Sequence, residues 1–136
     1  MKNIFTSICF TLISAISINA SAATKVDPDK VGYIVLDTLV TNIINDEPNR
    51  MSHAKVDVYI TIDSQANLEA AQLYVPELRD AVIFLINQQR LEDIDTAAER
   101  QILANKGLEL AQAIFLKETG EPMASEFLWG FFAVQP

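Results

Sequence analysis

The sequence predicts an α+β domain: a small antiparallel sheet of three strands covered by about three helices. Three observations carry this. Residues 53–63 alternate polar and apolar with period two, which is the pattern of a half-buried strand. A capping-box sequence, Thr96-Ala97-Ala98-Glu99, opens a long apolar-periodic helix. The chain then closes on an aromatic run, Phe127 to Val134, whose composition favours a strand. A run of strands followed by a run of helices places the helices on one face of the sheet.

In chain order, Met1 to Ala22 comes first. It has one basic residue, Lys2, an apolar stretch from Ile4 to Ile18, and Ala20-Ser21-Ala22, a small-x-small cleavage signature. The stretch is about 15 residues long and carries Ser and Thr, short of the roughly 20 apolar residues of a spanning helix. This reads as a signal peptide cut between Ala22 and Ala23; a retained membrane anchor is the alternative. Residues 23–136 then form one domain. Cys9 lies in the leader, so the exported domain has no thiol and holds together by packing alone.

Tyr33-Ile34-Val35-Leu36 and Leu39 to Ile44 are β-branched and apolar and read as one strand bent near Asp37. Asn45-Asp46-Glu47-Pro48-Asn49 reverses the chain. In the next strand Ala54, Val56, Val58, Ile60 and Ile62 share the buried face, while His53, Lys55, Asp57, Tyr59, Thr61 and Asp63 share the other. Asp63 or Ser64 caps a first helix running to Tyr74, and Pro76 suits the first turn of a second built on Leu78, Val82, Leu85 and Ile86. The third helix runs from Thr96 to about Lys117. Ile102, Leu103, Leu108, Leu110, Ala111, Ile114 and Phe115 supply its apolar surface, and Gly107 weakens it by about 1 kcal/mol relative to Ala. Thr119-Gly120-Glu121-Pro122 stops it, and Glu126 to Gln135 joins the hairpin as the third strand. Apolar residues on both sides of this last strand point to burial on both faces or to a surface that a partner covers.

Charge and chemistry exclude several functions. The chain has 10 Lys plus Arg against 18 Asp plus Glu, a net charge of −8, which becomes −9 once Lys2 leaves with the leader. With basic residues few and scattered, neither nucleic acid nor an anionic lipid surface is a suitable partner; a basic protein surface is. One histidine, His53, cannot form a zinc site or a serine-histidine pair with the residues around it, and reads as a solvated strand residue. The carboxylates Asp57 and Asp63, and Glu92, Asp93 and Asp95, read as a wet strand face and a helix-start cluster. Four scattered glycines make no phosphate cradle. The expectation is a protein that is not an enzyme and takes no cofactor.

Several pieces, taken in order, resemble the FliL family of flagellar basal body-associated proteins. They are Tyr33 to Ile43 with its Leu36-Asp37 and Asn42, alternating Val56 to Ile62, Leu78-Arg79-Asp80-Ala81-Val82-Ile83, Glu92-Asp93-Ile94, and terminal Phe132-Ala133-Val134-Gln135. The resemblance covers roughly Val31 to Gln135. It implies a periplasmic domain similar to the stomatin/prohibitin-like domain, associated with the inner membrane through its partners. Those partners would be stator and basal body proteins of the flagellar motor, in a homo-oligomer or a mixed ring with a paralogue, supporting motility without catalysis. This sequence departs from the family in carrying a cleavable-looking signal where a transmembrane helix and linker are usual. A periplasmic adaptor unrelated to motility is therefore the second reading. Asp57, Tyr59 and Arg79 are the contact candidates, as charged or aromatic surface on the sheet and helix.

Overall fold

Strict alternation in the middle strand organises the whole domain. The computed structural model describes residues 31–47 and 50–135, so the leader, the cleavage pair Ala22 and Ala23, and turn residues Pro48 and Asn49 lie outside the described residues. Strand β2 (Ser52–Ile62) sits between β1 (Gly32–Ile43) and β3 (Ala124–Gln135) in an antiparallel sheet of order β1-β2-β3. Its inward residues Ala54, Val56, Val58, Ile60 and Ile62 are all fully buried, because a central strand is covered by neighbours on both sides and by helices above.

Three helices cover that inner face: α1 (Gln65–Gln72), α2 (Val75–Asn87) and α3 (Ala97–Thr119). The predicted α+β class is thus the one observed. Ser64, not Asp63, caps α1, accepting from the Asn67 amide at 3.2 Å, while Asp63 binds the Asn67 side chain at 2.9 Å. Helix α1 stops at Gln72, two residues before the predicted end. There Leu73 and Tyr74 turn the chain into α2, with Pro76 in the first turn. Leu78, Val82 and Ile86 are the buried stripe of α2.

The acidic segment before α3 is not simply a charged approach to the helix. Leu91–Asp93 form a single 3-10 turn in which the Asp93 carboxylate accepts from the Arg90 amide at 3.0 Å, and Ile94 then enters the core. Thr96 and Glu99 make the predicted capping box, with bonds of 2.9 and 3.2 Å. At the other end Gly120 adopts φ 83°, and its amide returns to the Leu116 carbonyl at 3.0 Å. The buried stripe of α3 is Leu103, Ala104, Gly107, Ala111, Ile114 and Phe115; Ile102, expected to contribute, is 56% exposed. Gly107 is there for contact, since a Cβ would lie 2.7 Å from the Phe127 ring, so the helix gives up local stability to let β3 approach.

Both edge strands bulge at the same level. Leu36 and Leu39 of β1 pair with Val58 and Val56, leaving Asp37 and Thr38 opposite Asp57; on the other side Trp129 and Phe132 pair with the same two valines, leaving Gly130 and Phe131 opposite Asp57. Each bulge spaces inward residues by three, so the apolar side of each strand stays on the core through the irregularity. Plain alternation along the last strand would put Phe131 on the same side as Phe127 and Trp129; the bulge turns it to the other. Phe127, Trp129 and Phe132 point inward as an edge-to-face series with centroids 4.9 and 5.1 Å apart. The Arg100 guanidinium lies 4.6 Å from the Phe132 ring, and its backbone carbonyl accepts the Trp129 indole N–H at 2.9 Å.

Candidate interaction face

The helices cover one face of the sheet, and the register defines what the other face displays. A row crosses all three strands at Val35, Tyr59 and Leu128, flanked by Tyr33 on one side and by Val40 and Phe131 on the other. These six large side chains are 38–58% exposed. Strands lie about 4.8 Å apart, so the row alone spans about 10 Å between its outer Cα positions. Exposed apolar residues scattered singly mean little, but a contiguous group on one sheet face marks a contact surface.

Packing within the face holds these groups in place. The Tyr59 ring leans diagonally onto Gly130, occupying the space where a Cβ would stand. On the opposite side the Thr38 hydroxyl donates to Asp57 Oδ1 at 2.9 Å. Next along, Lys55 Nζ stands 6.0 Å from the Phe131 ring. At one end of the face Thr61 donates to Glu126 Oε2 at 3.2 Å; at the other His53 and Gln135 share a 2.9 Å hydrogen bond. Along the strands the outer face thus reads as the apolar row Val35-Tyr59-Leu128 between two rows that carry carboxylates, Glu126 beside Thr61 on one side and Asp57 beside Thr38 on the other, with the polar row Asn42-His53-Gln135 at the far end.

Two of the three contact candidates, Asp57 and Tyr59, sit on this face as consecutive outward residues of β2. Arg79 does not join them. It projects from α2, and its Nη1 donates to the Asp37 carbonyl at 3.0 Å, tying the helix to the β1 bulge. The sequence reading passed over Tyr33, Val35, Val40, Leu128 and Phe131 as face residues. In β1 the signal that finds them is the three-residue spacing of the apolar positions Leu36 and Leu39 across polar Asp37 and Thr38; in β3 the aromatic run masks the equivalent spacing of Trp129 and Phe132.

A second surface feature is an acidic groove of about 350 Å³ lined by Ile44, Asp46, Glu47, Arg90, Leu91, Glu92 and Asp95. Arg90 is ion-paired with Asp46, and that hydrogen bond, with the charge beside it, raises the guanidinium further above its ordinary value. Among the described residues no group of three or more His, Cys, Asp or Glu converges as a metal site, and every buried side-chain polar atom has a partner. Among them also, no helix is long and apolar enough to cross a membrane.

Fold and surface together define the class: a two-layer α+β domain that leaves one sheet face, with the apolar row Val35-Tyr59-Leu128 on it, open to its surroundings. The chain belongs to the FliL family, whose description, flagellar basal body-associated protein FliL, matches residues 33–135. Its role is accordingly one associated with the flagellar basal body. The match begins with the first row of the open face and ends with the last residue of β3. A search of curated proteins finds no match.

Proposed function

We propose that this protein is a non-enzymatic accessory of the flagellar motor that supports stator function, and through it motility, by protein contacts made with the open sheet face. The observation that carries the reading is the exposed apolar row Val35-Tyr59-Leu128, with Tyr33, Val40 and Phe131 on the same face, in a chain of the FliL family. The domain works in the periplasm after cleavage between Ala22 and Ala23 and meets the inner membrane only through stator and basal body proteins. It assembles there as a homo-oligomer or in a mixed ring with a paralogue. The strong acidity favours a basic protein surface over anionic lipid as its neighbour.

Deleting the gene, in a background whose other FliL-like genes are known, and measuring swimming speed and swarm diameter tests the reading. Motility should fall and return when the whole gene is supplied in trans. Unchanged motility with no paralogue covering the loss would assign the protein to a periplasmic adaptor role outside the flagellum. Mass measurement of the exported protein checks the compartment: the mature chain should begin at Ala23.

A further inference from the structure

We infer that the open face receives an amphipathic segment of a partner protein, one whose aliphatic side chains are flanked by lysine or arginine. This rests on the open face being the contact surface, not on the flagellar role. The apolar row Val35-Tyr59-Leu128 has a carboxylate on each side of it. Asp57 is two residues from Tyr59 along β2, and Glu126 is two residues from Leu128 along β3 in the other direction. Each carboxylate is oriented by a hydroxyl of a neighbouring strand, Thr38 for Asp57 and Thr61 for Glu126, through one oxygen only. Among the described residues the second oxygen of each has no hydrogen-bond donor, so each can accept from an incoming cation. Asp37 adds a third acid at the β1 bulge, where Arg79 already binds its backbone carbonyl, and Lys55 stands beside Phe131. Aliphatic groups in the middle and cations on both sides are thus what the face complements.

A second copy of this chain is the poorer occupant of the same face, because it brings the same excess of acid and not the cations that the carboxylates beside the apolar row can accept. Two copies packed face to face about a two-fold axis along the strands set Asp57 against Asp57 and Lys55 against Lys55. Turning the axis across the strands, so that Lys55 meets Asp57, lays the apolar row Val35-Tyr59-Leu128 on the polar row Asn42-His53-Gln135. Any face-to-face pairing also brings together two acidic chains, −8 each and −9 each once Lys2 leaves with the leader. The sheet edges are a poorer alternative, since both edge strands are interrupted by bulges at Asp57.

The test uses the purified protein expressed from the whole gene, with a synthetic leucine/lysine peptide as probe and the same peptide with glutamate in place of lysine as its control. Calorimetry should show the lysine peptide binding at least about tenfold more tightly, with amide shifts concentrated at Val35, Tyr59, Leu128 and Phe131. The double variant D57K/E126K should reverse the preference. Leu128→Ser, at a half-exposed position that leaves the core intact, should weaken the lysine peptide about tenfold without changing the charge. Shifts confined to the helical side, or a preference that D57K/E126K and Leu128→Ser both leave unmoved, would overturn the proposal. Concentration-dependent shifts of the face residues without peptide would overturn it in favour of a second copy. Peptide binding and the motility experiment fail independently, so the two readings are separable.

Discussion

Gly107 shows how a residue's meaning depends on a neighbour distant in sequence. Read locally it is a weak point in α3; in the fold it is where the Phe127 ring presses against the helix. Gly107→Ala is therefore expected to destabilise the domain. Overpacking costs about 1–3 kcal/mol, against a helix-propensity gain of about 1 kcal/mol. Urea unfolding should show a net loss of about 0–2 kcal/mol; a gain in stability would mean that the contact is slack. Thr96 was legible without tertiary knowledge, because a capping box involves only residues three apart. Thr96→Ala should cost about 1 kcal/mol in the same assay. Arg79 is the opposite case: nothing local to α2 reveals that its guanidinium meets the Asp37 carbonyl across the sheet edge. The sequence thus marks it as charged surface, while the fold uses it to brace a bulge.

Among the elements, the strands and helices were legible wherever the apolar period was unbroken. Strand β2 alternates without interruption, and its inner face was assigned residue by residue. The bend in β1 could be read from Leu36 and Leu39 being three apart with polar Asp37 and Thr38 between them. The matching bulge in β3 was hidden because the residues that it turns outward, Gly130 and Phe131, include an aromatic, so period two and period three look alike there. Two single-residue deletions in β1 have opposite consequences for its inward face. Removing Thr38 restores a plain alternation with every inward residue still inward, and circular dichroism should show a folded, thermally cooperative protein. Removing Val40 instead turns Asn42 into the core and Ile43 out of it, which should cost about 3 kcal/mol or more. Equal stability of the two deletions would contradict the register.

On the scale of the whole molecule, family membership associates the chain with the flagellar basal body, and the outer sheet face is the side that the helical layer leaves uncovered. The helical layer completes a core whose buried polar atoms are partnered among the described residues. The other side of the sheet keeps six large apolar groups in contact with water. The class of fold and the flagellar family were legible in the sequence; the face was not, because its six residues come from three strands and become neighbours only once the register is known. Part of the chain's acidity lies on this face as well, with Asp57 and Glu126 set on either side of the apolar row.

The most direct measurement is swarm diameter in a deletion strain complemented at equal protein level by the wild-type gene or by the triple variant Tyr59→Ser, Leu128→Ser, Phe131→Ser, which alters the open face and leaves the buried core unchanged. The wild type should restore motility, and the folded triple variant should restore less than about a tenth of it, as expected when a contact surface loses its apolar anchors. Full restoration by the triple variant would show that the open sheet face is not the surface through which this protein acts.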